Sequence, residues 1–116
     1  MKRDQYNQQL LGFIQQSPTP FHAVKTMKEA LDNAGFQELA EEQSWNTTAG
    51  GKYYVIRNSS SIIAFVMGKQ SAVNTGIRLV GAHTDSPCLK IKPNPELNKK
   101  NYFQLGVEVY GGVLLN

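Results

Sequence analysis

A single cysteine, Cys88, stands in the whole sequence, so neither an intrachain disulfide nor a cysteine-built zinc cage is available. A reducing compartment fits that usage. Long apolar runs are missing too: no window reaches the roughly 18 apolar residues of a membrane span. The opening Met1-Lys2-Arg3-Asp4-Gln5-Tyr6 lacks the apolar stretch of a secretory signal, and a cytoplasmic protein without a membrane partner is expected. Charge of one sign is equally scarce. The formal net charge is +3, and the basic pairs Lys2-Arg3, Lys90/Lys92 and Lys99-Lys100 have no aromatic platform beside them, which argues against a nucleic-acid partner. What is present, 41% hydrophobic and 18% charged residues in 116, describes a folded domain with a modest core rather than a disordered chain.

Periodicity divides the chain in two. Asp4 is suited to cap a first helix, whose apolar positions Tyr6, Leu10, Phe13 and Ile14 recur at helical spacing. Ser17-Pro18-Thr19-Pro20 ends it and begins a second: Thr19 is an N-cap, and Pro20 falls where a missing N–H costs nothing. Phe21, Val24, Met27, Leu31 and Ala34 then form one core-facing stripe, closed by Gly35. Beyond it the pattern turns to strands. Lys52 to Arg57 and Ser61 to Met67 read as a hairpin around Asn58-Ser59-Ser60, followed by a polar loop from Gly68 to Gly76. Ile77 to Ala82 reads as a third strand. Leu89 to Lys92 alternates until Pro93-Asn94-Pro95 breaks it, and Tyr102 to Tyr110 alternates strictly, as a half-buried strand does. Two helices followed by at least four strands predict an α/β or α+β layered fold, two helices and then a mixed sheet. Val113-Leu114-Leu115 is an apolar run with only Asn116 after it, so this sequence is expected to be part of a longer chain.

His83-Thr84-Asp85-Ser86-Pro87 follows the expected third strand. Strand ends in open α/β sheets are where loops converge on a crevice. Neutral imidazole is a common metal ligand that needs a second group to fix its ring, and residues two apart in extended chain share a side. Asp85 is therefore placed to act with His83, although a hydrogen-bonded structural pair would look the same. A Ser-His-Asp hydrolase is disfavoured because Ser86 is too close in sequence and no Gly-x-Ser-x-Gly elbow exists. Cys88 could serve as a thiol nucleophile with His22 or His83, but Pro87-Cys88-Leu89 reads better as a small buried hydrophobe. His22, at the third position of the second helix, reads first as a structural histidine, with a ligand role as the lesser alternative. Glu108 faces away from the Val107/Val109 row, toward solvent or a cleft. Gly111-Gly112 reads as a turn.

Three blocks carry a resemblance: Ser17-Pro18-Thr19-Pro20-Phe21-His22-Ala23-Val24, Gly81-Ala82-His83-Thr84-Asp85-Ser86-Pro87, and Val107-Glu108-Val109-Tyr110-Gly111-Gly112. In order and spacing they resemble the M18 family of aspartyl-aminopeptidase-like metallopeptidases. The resemblance implies a hydrolase acting on the N-terminal residue of peptides, with two zinc ions in an α/β/α catalytic domain. It also implies an inserted β-rich domain used in assembling homo-oligomers. Residues 1–116 would be the N-terminal portion of the catalytic domain, with about 101–116 beginning the insertion. His83 corresponds to a zinc ligand and Asp85 to the catalytic, ligand-orienting aspartate. The family's remaining ligands and its general base have no counterpart here, so this polypeptide alone is expected to be inactive. The alternative is a non-catalytic α/β scaffold or pseudo-enzyme interaction module.

Overall fold

The computed structural model describes residues 3–112. It falls into two compact units, divided between Thr84 and Asp85.

In the first unit, α1 (Arg3–Gln16) packs on α2 (Pro20–Asn33). Asp4 lies within the first turn of α1 rather than capping it, where its charge still suits the positive helix end. α2 begins as its sequence dictates. Thr19 is extended (φ −138°, ψ 162°), its hydroxyl accepts from the His22 N–H at 3.4 Å, and Pro20 opens the helix. Gly35 follows at φ 77°, a left-handed value that ends the helix without Cβ strain. The Gly35 and Phe36 amides then donate back to the Asp32 and Leu31 carbonyls, each at 3.0 Å, so the last turn leaves few orphan acceptors. The apolar stripe is buried in its middle only. Ala23 and Val24 are buried, Met27 and Leu31 half-buried, and Phe21 remains 60% exposed.

A three-stranded mixed sheet lies against α2. β1 (Gln37–Glu38) pairs in parallel with β2 (Lys52–Arg57), and β2 pairs antiparallel with β3 (Ser61–Val66). The central strand has a side chain to bury on each face. Tyr53 lies near Phe65, its cross-strand partner, with ring centroids 5.7 Å apart, and Trp45 stacks on Phe65 at 6.2 Å. Tyr54 points the other way and is completely buried. Its hydroxyl donates to Asp32 Oδ1 at 2.7 Å and accepts from Lys28 Nζ at 2.6 Å, while Lys28 also bonds the Glu38 carboxylate. A buried phenol thus has both of its hydrogen-bonding roles filled, which is what makes its burial affordable. The same cluster ties α2 to β1. Lys28 is held above its ordinary pKa by its bonds to Glu38 and Tyr54. Tyr54 is raised as well, first by burial and then by the bond to Asp32.

The expected third strand does not form. Residues 77–83 carry no regular secondary structure, and Ile77, Leu79 and Val80 are 81%, 86% and 96% exposed. A strand is made by its neighbours, and among the described residues none supplies a ladder for 77–82. The polar loop before it contains one short helical turn, α3 (Ala72–Thr75), with Ser71 as its N-cap.

The second unit is one hairpin. β4 (Cys88–Lys99) and β5 (Tyr102–Tyr110) turn at Lys100 and Asn101, whose φ values of 53° and 62° suit a two-residue turn matched to strand twist. Pro93-Asn94-Pro95 does not end β4. The register shifts between Ile91 and Glu96, so residues 92–95 bulge opposite the buried Gly106. Prolines are tolerated at such a bulge because no ladder bond is asked of them. The expected half-burial of β5 is not observed: Phe103, Leu105, Val107 and Val109 are 69%, 53%, 40% and 49% exposed. They share one face with Leu89 and Ile91, and among the described residues this two-stranded ribbon has no second layer of its own to lay over that face. The run Val113-Leu114-Leu115 lies outside the described residues.

Candidate functional site

His83 closes the irregular segment 77–83 and is exposed. The residue after it is fastened: Thr84 Oγ1 donates to the Ser60 carbonyl at 2.8 Å, in the turn between β2 and β3. That turn is left-handed at two non-glycine residues, Asn58 and Ser59 (φ 52° each), and closes with Ser60 N–H donating to the Arg57 carbonyl at 3.2 Å. Sequence reasoning missed this anchor. A separation of 24 residues leaves no periodic signal, and only the hydroxyl of Thr84 marks a possible donor.

Asp85 opens the second unit and is half-buried. Tyr110 Oη donates to Asp85 Oδ2 at 3.5 Å, and Lys90 Nζ sits 5.3 Å from the centre of the Tyr110 ring. Gly111, at φ 78°, passes so close to Pro87 that an added Cβ would lie 3.2 Å from its Cα. The backbone angle favours glycine there, and the approach is tight for any larger residue. Two of the sequence blocks, Asp85-Ser86-Pro87 and Tyr110-Gly111-Gly112, therefore meet at the open end of the hairpin.

The remaining sequence candidates are placed as follows. His22 Nδ1 lies 2.8 Å from Thr19 Oγ1, so its ring belongs to the start of α2. Cys88 is exposed, against the expectation of a buried hydrophobe, because the ribbon that carries it buries neither face. Ser86 and Glu108 are exposed as well. Gly111-Gly112 is a bend. A concavity of about 580 Å³ in the first unit is lined by residues such as Gly35, Gln37, Asn46 and Tyr53, and includes none of these candidates.

The donor chemistry is suited to zinc but short of it. A catalytic zinc takes about three protein ligands and a water, and a pair of ions takes more. Among the described residues no group of three or more His, Cys, Asp or Glu side chains is positioned to share a metal. His83 and Asp85 by themselves do not make a zinc site, and no step of catalysis can be derived through one from this chain.

Residues 13–116 match the family described as aminopeptidase I zinc metalloprotease (M18). The chain belongs to the M18 family. A probable M18 family aminopeptidase 2 from Ectopseudomonas mendocina is 60% identical over 113 residues, 97% of this chain and 26% of that protein. Its counterpart from Azotobacter vinelandii is 56% identical over the same shares. Among solved M18 structures, Chaetomium thermophilum mApe1 superimposes with a TM-score of 0.84 at 38% identity, covering 98% of this chain and 26% of that one. Yeast aminopeptidase 1 (Ape1) gives 0.81 at 32% identity, covering 98% and 27%. The chain thus spans about a quarter of the length of the M18 relatives it matches, and its α/β character agrees with theirs. No helix among the described residues is long and apolar enough to cross a membrane.

Proposed function

We propose that this chain supplies the first part of the catalytic domain of a zinc-dependent aminopeptidase, which hydrolyses the N-terminal residue from peptides. The observation that carries the reading is the M18 match over residues 13–116, with the His83-Thr84-Asp85 motif inside it. His83 would be one metal ligand. Asp85 would orient that ligand and take part in catalysis. The remaining ligands, for two zinc ions, would come from residues beyond this quarter of the relatives' length. The segment from about 101 onward would lead into an inserted oligomerisation domain, and the whole enzyme would be a cytoplasmic homo-oligomer. A solved yeast relative, mApe1, is described as a dodecamer, which supports the last point.

The test joins this chain to the remaining three quarters of the E. mendocina relative and assays release of N-terminal residues in added zinc. The extended protein is expected to be active and the 116-residue chain inactive. His83→Ala in the extended protein should lower kcat/KM by about a thousandfold or more, the scale of losing an essential group. An extended protein that is inactive with zinc, or indifferent to His83→Ala, overturns the reading. The non-catalytic scaffold is favoured by one observation, the shortage of metal donors among the described residues, and it predicts that indifference.

A further inference from the structure

The open end of the ribbon is where Asp85 meets β5. Cys88 pairs with Tyr110 in the terminal rung of the β4–β5 ladder, and Leu89, Lys90 and Ile91 pair behind it with Val109, Glu108 and Val107. Unbroken pairing up to that rung places the backbone of Tyr110. Directly paired residues share a face, and so do residues two apart along one strand. Cys88, Lys90, Glu108 and Tyr110 therefore lie on one face, opposite the apolar row of Leu89, Ile91, Val107 and Val109.

On that face the Tyr110 ring is held from the side of β4. Lys90 is its diagonal neighbour, with Nζ 5.3 Å from the ring centre, a distance at which a cation is attracted to an aromatic face. Beyond the rung the two chains stay close, since a Cβ added to Gly111 would lie 3.2 Å from the Pro87 Cα. Pro87 has a fixed φ and restricts Ser86 before it, so the two residues between Asp85 and the ladder are stiff. Stiff backbone still leaves a carboxylate its own side-chain rotations, and a donor on one oxygen selects among them. Tyr110 Oη is such a donor, 3.5 Å from Asp85 Oδ2. Asp85 is half-buried and has other interactions, so the phenol is one hold on its carboxylate rather than the whole of it.

We propose that Tyr110 is a positioning residue: its hydroxyl, aimed by the ladder and by Lys90 against its ring, biases the Asp85 carboxylate toward one orientation. The inference rests on the reading of Asp85 as the aspartate that orients a metal ligand, but the orientation itself is measurable without metal. Tyr110→Phe keeps the ring, the ladder and the contact with Lys90, and removes only the donor. Lys90→Met keeps the donor and an unbranched side chain of similar reach, and removes the cation.

Three-bond couplings about the Cα–Cβ bond of Asp85, measured by NMR on the 116-residue chain, report its rotamer populations. The wild type should show one dominant rotamer. In Tyr110→Phe the couplings should shift toward the average over the staggered wells, and in Lys90→Met they should shift the same way by less. Cross-strand contacts between residues 88 and 110 should persist in both variants. An averaged wild type, or unchanged couplings in Tyr110→Phe, overturns the proposal. Loss of the 88–110 contacts together with the shift makes Tyr110 a support of the ribbon and overturns it too, while unchanged couplings in Lys90→Met remove Lys90 from the device. In the extended protein, Tyr110→Phe should lower kcat about fivefold with KM little changed, the scale of one long hydrogen bond. A change confined to KM overturns the positioning role. An extended protein inactive with Tyr110 intact refutes the aminopeptidase reading, and the couplings still decide whether Tyr110 orients Asp85.

Discussion

The two units handle apolar surface in opposite ways. In the first, Tyr53, Tyr54 and Val55 of one strand are buried between α2 and the Trp45–Phe65 stack, and the polar end of Tyr54 is satisfied by Lys28 and Asp32. In the second, six apolar side chains line one face of a ribbon, and among its described residues only Gly106 is buried. Strands rich in apolar residues thus give a core in one place and an open face in the other. The difference lies in what is layered over the strands, since a sheet face becomes a core only when a second layer covers it.

The largest effect that would sharpen this contrast is at Tyr54. Tyr54→Ala should destabilise the first unit by about 3–5 kcal/mol, the usual loss for deleting a buried aromatic side chain. Urea unfolding followed by the fluorescence of Trp45, the one tryptophan, measures it. Alkaline pH should act next. The Tyr54 phenol is raised above the ordinary tyrosine value of about 10 by burial and by its bond to Asp32, so its contribution is complete below about 10 and is lost as pH rises through the higher folded value. Lys28, also raised, loses its contribution in the same direction. Tyr53, lowered by hydrogen bonds from Thr48, works in the opposite sense. The urea midpoint should therefore fall above pH 10, and less steeply in Tyr54→Phe. An equal fall in that variant would remove Tyr54 from the account. The smallest effect belongs to the ribbon. Phe103→Ser, at a residue 69% exposed, should change stability by no more than about 0.5 kcal/mol. A loss matching that at Tyr54 would mean the face is covered in solution, and the contrast between the units would break.

The legible parts of the fold were those written locally. Thr19-Pro20 and Gly35 bracket α2 because caps act through residues three or four apart. Asn58-Ser59-Ser60 marks a hairpin for the same reason. Ile77 to Ala82 has the composition of a strand, yet a ladder needs partners that composition does not locate. Pro93 and Pro95 looked like a break because proline cannot donate to a ladder, and a bulge satisfies that rule without ending the strand. β1 is two polar residues held by parallel pairing and by Glu38's bond to Lys28, which no periodicity announces. At the candidate site, the motif His83-Thr84-Asp85 was readable. Its anchors, Ser60 for Thr84 and Tyr110 for Asp85, lie 24 and 25 residues away and were not.

The mixed sheet also carries a clock. β2 and β3 are joined by three residues, so their pairing needs only a short loop to close and belongs to the microsecond range of hairpins, about 1–10 μs. β1 meets β2 in parallel, with Glu38 beside Tyr54 sixteen positions on, and must wait for a longer excursion of chain to return. Order of assembly follows from these lengths: the antiparallel pair comes first and presents Tyr54, and Glu38 arrives later to join Lys28 beside it. The shortest strand of that sheet is then the one expected to complete it.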